Sequence, residues 1–416
     1  MATAIMYSVA VVVTLLTAYF FPSFHHKNLL RLLYDVQRRV VGKEEPVMER
    51  DEIWSDVISE NLSQFASNWW IDDDIYQLER RAIFSKEWLF VTHASRFRKA
   101  GDYRTFDIAG FHFLLILGKD KQIRAFHNVC RHRAYTITRK ESGSSTVLGC
   151  RYHGWSYDTK GKLVKAPEFD GVEGFDRELN SLWEIRAEVR DSLVFVNFDA
   201  SEEIQSLDTD NNSKALEGWK VGELEWTTGW QVNAACNWKL ADGELSQPEE
   251  EASTPTLWQS IVSQWQGTGT KEIKISPSAT LRLLPTGQVL SIRIMPQSAF
   301  SATIQCDVYA QTAKSTKSLQ RERQLYQESM ERRVKELEDR QQELLAGEDG
   351  FARAPQDEFS RLLKAHLKTE RQLGAEIQPA ARKQSFTQDG RADDALCAEL
   401  ESDRVCKAHR NGLLEW

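Results

Sequence analysis

The chain has 416 residues, a formal net charge of −8 and a sequence dominated by neither sign of charge. That length suffices for two or three domains with real cores, and no basic run or helix face suggests nucleic acid. Six cysteines are too few and too irregularly spaced for a disulfide framework, so a reducing compartment fits best. Residues 2–22, ATAIMYSVAVVVTLLTAYFFP, carry no charged side chain, and ~20 apolar residues cross a bilayer as a helix. A secretory signal peptide would want basic residues in front and a small-residue cleavage site behind. Here Lys27, Arg31, Arg38, Arg39 and Lys43 follow the segment instead. The positive-inside rule then places the body on the cytosolic face. Residues 1–24 are therefore expected to be a transmembrane anchor, in an endoplasmic-reticulum-type membrane, with the Asn61 and Asn211 sequons unglycosylated. Residues 25–45 have an apolar face (Leu29, Leu32, Leu33, Val36, Val40) and a basic one. They read as a juxtamembrane amphipathic segment, and an ordinary packed helix fits equally well.

Residues 83–198 read as mostly β. FHFLLIL and IRAFHNV flank GKDKQ, a hairpin pattern, and SLVFVNF closes the unit. The acidic, polar stretch 199–218 has linker composition. Alternating runs follow, ending in SATIQCDVYA, where Ile304, Cys306, Val308 and Ala310 share one face. That pattern predicts a half-buried antiparallel strand. Residues 316–346 and 357–376 read as charge-rich helices. Met330, Leu337 and Leu344 repeat at seven, which suits either a short coiled-coil contact or a solvated helix with one buried stripe.

The chemistry concentrates in NVCRHRAYTITRKESGSSTVLGCRYHGW. Cys130 and His132 form one cluster, Cys150 and His153 a second. Four such ligands could close a tetrahedral zinc site. Alternatively, two Cys hold one iron of a [2Fe–2S] cluster and two His hold the other, the Rieske arrangement. Zinc motifs of this composition usually pair like with like and put the His on a helix. Here each loop mixes the two ligand types, and Gly154 suits a tight loop, which favours the Rieske reading.

NVCRHR and CRYHGWSYD resemble the two ligand loops of the Rieske-type non-haem iron oxygenases, in the ring-hydroxylating and choline-monooxygenase-like branch. IYQLERRAIFSKEWLFV resembles the helix that enters that family's Rieske domain, and NWKL at 237–240 the start of its catalytic domain. The likeness runs roughly from 70 to 311, with a weaker match near the C-terminus. It implies an α+β fold: residues 46–82 as an N-terminal helical part of the catalytic domain, 83–198 as a β-rich Rieske [2Fe–2S] domain, and 219–416 as a helix-grip-like antiparallel sheet with long C-terminal helices. It also implies cluster ligands Cys130, His132, Cys150 and His153, shielding of the cluster by Trp155, and a mononuclear Fe(2+) held by two His and one carboxylate. An NAD(P)H-dependent reductase or ferredoxin as donor, a small-molecule substrate and a homotrimer complete the expectation.

One part of the family pattern is missing. Relatives place the two iron-binding His in a segment just after NWKL, with an acidic residue that bridges to the neighbouring subunit's cluster. This chain reads NWKLADGELSQPEEEASTPTLWQS. Laid ungapped on the pattern, the His positions carry Glu250 and Pro255, and the bridging acid falls on Gln247. Glu249, Glu250 and Glu251 otherwise read as a solvated acidic loop. ADDALCAEL resembles the helix that supplies the family's aspartate, which places it at Asp393; a surface helix-start acid reads equally well. Cys406 and His409 have metal-loop spacing without a partner pair, and His366 reads as an exposed helix residue. Two functions follow as expectations. One is a membrane-anchored Rieske oxygenase-type oxidoreductase hydroxylating a small metabolite in specialised metabolism, with an altered ligand set or a lost segment around 243–260. The other is an electron-transfer protein, or an oxygenase-derived pseudoenzyme, that keeps only the cluster.

Overall fold

The computed structural model describes residues 67–169, 172, 174–207, 210–245, 271–284, 286–311, 316–346 and 354–377. The expected anchor at 1–24, the segment 25–45, and residues Gln247, Glu250, Pro255, Asp393, Cys406 and His409 all lie outside them. Among the described residues no helix is long and apolar enough to cross a membrane.

The ordered body begins with a short helix, α1 (Asp73–Glu79), capped by the Asp72 carboxylate, which accepts from the backbone N–H of Asp74 at 2.8 Å. That cap satisfies a donor the first helical turn cannot use itself. A π-helical turn, Arg80–Phe84, carries the chain into strand β1 (Leu89–His93). Then come β2 (Asp102–Ile108), β3 (Phe111–Leu117) and β4 (Ile123–His127), with β9 (Glu184–Arg190) and β10 (Leu193–Asn197) closing the unit. The expected hairpin is present: β3 and β4 pair antiparallel from Phe113↔His127 to Leu117↔Ile123. With the short β5 (Ser142–Ser144) they form one seven-stranded sheet in the order β1-β10-β9-β4-β3-β2-β5. A smaller sheet, β6-β7-β8 (Val147–Gly149, Ser156–Asp158, Leu163–Lys165), lies in the same unit.

The stretch 199–218 is not a linker throughout. Asp210–Gly218 forms helix α2, and Leu216 is buried in a core shared with Phe90, Phe195, Leu281 and Tyr309. One apolar side chain at the right helical position outweighs an acidic composition once a groove exists to receive it.

The second sheet, order β11-β15-β14-β13-β12, is antiparallel throughout. It comprises β11 (Glu225–Ala234), β12 (Lys271–Ser276), β13 (Ala279–Leu283), β14 (Val289–Ser298) and β15 (Ser301–Ala310). Strand β15 departs from the half-buried expectation. Its first half alternates, but Cys306 through Ala310 are all buried. The face bearing Asp307 and Tyr309 packs towards β1 and β10, while the Cys306 face points the other way. Helix α3 (Trp238–Leu245) follows β11. Helices α4 (Thr316–Ala346) and α5 (Ala354–Leu373) match the expected pair. Met330, Val334, Leu337 and Gln341 make the buried stripe of α4. Glu338 and Gln341 accept from the backbone N–H of Ala235 (2.7 Å) and Asn237 (3.0 Å), so this stripe is committed to the sheet end.

Candidate metal centre

The two ligand loops share one backbone design. In the first, the Cys130 N–H donates to the Tyr135 carbonyl at 2.8 Å, and the Ala134 N–H donates back to Cys130 at 3.0 Å. In the second, Cys150 N–H donates to Trp155 O at 2.7 Å, and Gly154 N–H to Cys150 O at 3.0 Å. Both tight turns need a positive φ at their fifth residue, supplied by Gly154 (74°) and, at a steric cost, by Ala134 (52°). Each loop thus presents a thiol and an imidazole from a closed, rigid ring of backbone.

The side chains then sort by type. Cys130 and Cys150 are free thiols, both buried, and hydrogen-bonded to each other. The shared hydrogen bond raises Cys130 and holds Cys150 down to about 6, with burial opposing the latter. The His132 and His153 rings lie 4.5 Å apart, centroid to centroid. Sulfurs paired with sulfurs and imidazoles with imidazoles fit a binuclear cluster, each iron taking two protein ligands. A tetrahedral zinc would draw all four to one point.

The surroundings grade from dry to wet. The sulfurs sit in a core with Leu148, Trp155, Tyr157 and Phe169. Trp155 stacks on His132 (4.9 Å, 8°), which makes it the expected shield, and Phe169 closes the same ring edge-on at 5.3 Å. His153 is half-buried and meets the exposed Tyr152 at 4.0 Å. The imidazole end therefore faces outward. Tyr157 is the residue that sequence reasoning missed. Its hydroxyl accepts the Arg131 N–H at 3.0 Å, which leaves its own proton for Cys130 Sγ at 3.2 Å. Burial pushes this phenol upward, so it stays a donor. Its period-two spacing from Trp155, on the strand leaving the loop, was the available clue.

The oxygenase-like half holds buried charge of a different kind. Lys239 of NWKL pairs with Glu79 of α1, both side chains fully buried, and Glu79 also accepts from Trp238 Nε1 at 2.6 Å. The Lys239 ammonium stands 4.5 Å over the Trp69 ring. Asp242, one turn on, is bound by Lys274 at 2.7 Å, and its Oδ1 is buried with no hydrogen-bond partner. Arg333 and Arg282 donate to the last carbonyls of α3, at Glu244 (2.7 Å) and Leu245 (3.2 Å). These contacts hold the C-terminal end of α3. His366 is buried, contrary to the exposed position expected. It bonds Glu370 at 3.1 Å, which in turn takes Arg81 at 2.8 Å. His93 is likewise buried, bonded to Ser95 and the Val221 carbonyl.

Residues 87–176 match the Rieske [2Fe-2S] domain. The oxygenase subunit of carnitine monooxygenase from Acinetobacter baumannii is 33% identical over 201 residues, 48% of this chain and 49% of that one. The alpha subunit of benzene 1,2-dioxygenase from Pseudomonas putida is 31% identical over 201 residues, 46% of this chain and 44% of that one. The chain thus carries a Rieske [2Fe-2S] domain and is similar to Rieske non-haem iron oxygenases. The match spans less than half the length of these curated relatives. Among solved structures, a quaternary ammonium Rieske monooxygenase bound to L-carnitine superposes with a TM-score of 0.59 at 20% identity, covering 72% of this chain and 94% of that one. Naphthalene 1,2-dioxygenase from a Rhodococcus species gives 0.57 at 14%, covering 75% and 98%. At such identities the likeness is one of fold, and it reaches beyond the Rieske domain into the second sheet.

Proposed function

We propose that the chain is the oxygenase component of a Rieske-type oxidoreductase that hydroxylates a small organic molecule with electrons from a separate reductase or ferredoxin. The observation that carries this reading is the paired arrangement of Cys130 with Cys150 and His132 with His153, set in a fold that continues into an oxygenase-like sheet. When bound, the cluster supplies one-electron storage and transfer. The protein's part is to keep the sulfurs dry, to donate a hydrogen bond from Tyr157 to Cys130, and to turn the imidazole edge outward. Glu250 and Asp393 are the carboxylates proposed to hold the family's mononuclear iron where this chain binds one. We further propose that residues 1–24 anchor the protein with its body in the cytosol, which would bring it to a membrane-partitioning substrate. Alkaline carbonate extraction tests this: release of the full chain into the soluble fraction excludes the anchor.

The alternative, an electron carrier or pseudoenzyme, is favoured by one observation: Glu250 and Pro255 stand where the family has its two His. Iron and acid-labile sulfide per chain separate the two readings. About three irons per two sulfides are expected for cluster plus mononuclear site. About two irons per two sulfides, after saturation with ferrous iron, would leave the cluster alone and select the carrier.

A further inference from the structure

The junction between the two large sheets carries more positive charge than its own carboxylate cancels. Arg96, just after β1, and Arg293 of β14 converge on a single acid, Asp307 of β15. Arg96 Nη1 stands 3.6 Å from Oδ1 and Arg293 Nη2 3.5 Å from Oδ2. The Asp307 side chain is fully buried, and its Oδ1 also accepts from Trp226 Nε1 (2.8 Å) and Gln305 Nε2 (3.2 Å). A third cation, Arg104 of β2, lies within the field of both Arg96 and Asp307. No described carboxylate comes within ion-pair distance of it. Asp102 also acts on Arg104, but its carboxylate accepts from the backbone N–H of Arg98 and Lys99 at 2.9 and 3.0 Å.

The hydrogen bonds point the same way. Arg293 is 3% exposed, yet its Nε and Nη1 are buried without a hydrogen-bond partner. The buried Nε atoms of Arg96 and Arg104 have none either. The Arg96 guanidinium lies 4.7 Å over the Trp226 ring, a contact that holds the group in place without satisfying its Nε. Buried polar groups are nearly always hydrogen-bonded, and a guanidinium does not shed its charge to escape the cost. Burial disfavours the charged forms of Arg104 and Arg293, and the Arg96 charge adds to this in both. Asp307 opposes it in both, but one carboxylate does not balance three guanidiniums.

We propose that Arg96, Arg104 and Arg293 form a binding site for a divalent tetrahedral oxyanion, either inorganic phosphate or sulfate or the phosphate end of a small ester. Three guanidiniums against Asp307 leave a double positive charge, which such an anion neutralises. The guanidinium fork suits oxyanion geometry, and charge-assisted bonds of this kind are the strong ones. Arg96 and Arg104 are only partly buried, so the anion enters from their side and meets Arg293 at the inner end. Arg96 and Arg104 belong to the cluster-bearing unit, and Arg293 and Asp307 to the oxygenase-like sheet. The bound anion therefore ties the two together, whatever metal the ligand loops hold.

The test is equilibrium dialysis of the full-length holoprotein against radiolabelled sulfate, with ionic strength held constant by chloride. Saturable binding of a single sulfate per chain is expected, displaced by inorganic phosphate. Arg293→Met and Arg104→Gln are each expected to weaken it by roughly tenfold or more, the loss of a charge-assisted hydrogen bond in a buried site. Arg104→Gln, at a partly exposed side chain, keeps the test decisive should Arg293→Met fail to fold. Arg98→Gln removes the same charge nearby, from a side chain 79% exposed, and is expected to leave the affinity within about twofold. Glycerol 3-phosphate separates the two sources. Tighter competition by the ester than by phosphate assigns a phosphorylated small molecule, weaker competition assigns the free ion, and both support the site. Absence of saturable sulfate binding to the wild type, unchanged affinity in the Arg293 and Arg104 variants, or an equal loss in Arg98→Gln overturns the proposal. Each of these failures leaves the Rieske reading standing, because iron and acid-labile sulfide contents measure that separately.

Discussion

The two halves of the molecule treat buried polarity in opposite ways. Around the cluster site the polar groups that meet one another are neutral: the paired thiols, the Tyr157 hydroxyl and the His132 ring stacked on Trp155. The second sheet and its helices bury ionisable groups in pairs: Glu79 with Lys239, and Asp307 with Arg293 and the partly exposed Arg96, while the buried Asp242 meets the exposed Lys274. Most of these pairs join segments distant in sequence, and Asp307 takes Trp226 Nε1 at 2.8 Å as well. A buried ion pair costs desolvation that only good geometry offsets, so its presence argues for specificity of docking more than for stability. Buried charge is thus a poor marker of catalysis in this fold, whereas the sorting of ligands by type marks the cluster well.

Removing one ligand should break the contrast most completely. Cys150→Ser is expected to abolish the cluster and its visible absorbance while the oxygenase-like half keeps its fold; persistence of the absorbance would remove Cys150 from the ligand set. The next largest effect belongs to the other half. Lys239→Met leaves Glu79 buried and unpaired, which should cost about 3–5 kcal/mol in denaturant unfolding. The double variant Lys239→Met/Glu79→Gln should recover much of that loss, and an equal loss in both variants would show that packing, not charge, is decisive.

A third effect is pH-dependent. Burial pushes the Asp242 carboxyl up to about 6, with Lys274 pulling the other way. The folded state therefore favours the neutral acid. That contribution is fully present below about pH 4, and it is lost as pH rises through 6. Asp242→Asn should flatten this decline by on the order of 2 kcal/mol, as read from chemical denaturation across that range. An unchanged pH profile would mean that the Lys274 pair already compensates the burial. The smallest effect sharpens the cluster side. Tyr157→Phe should retain the cluster and lower its potential by roughly 30–60 mV, about 1 kcal/mol, because a hydrogen bond to a ligand sulfur favours the reduced state. A potential that stays put would mean the hydroxyl does not donate to Cys130.

How far the chain could be read in advance follows the same divide. The ligand loops were legible because a metal needs fixed residue types at fixed spacings, and a Gly at 154 betrays the turn. Strands β3 and β4 were legible because two apolar runs flank the polar turn GKDKQ. Helix α2 was not, since its buried residue, Leu216, and the adjoining Ala215 sit in an acidic run and gain meaning only when the core is assembled. His366 was misjudged for a related reason. Its neighbours in sequence are charged, but Glu370 and Arg81 hold the imidazole in a buried network, and Arg81 lies 285 positions upstream. The same holds for Lys239, which a linear reading shows only as part of NWKL. The departures at Glu250 and Pro255 were legible as departures, because the family pattern states what should stand there.

The central claim is that two thiolates and two imidazoles from twin loops hold one binuclear cluster. Nitrogen hyperfine spectroscopy on the dithionite-reduced protein tests it most directly. The account predicts couplings from two coordinated imidazole nitrogens, reduced to one in His153→Cys. A reduced cluster without nitrogen coupling, or stoichiometric zinc in place of iron and sulfide, would contradict it.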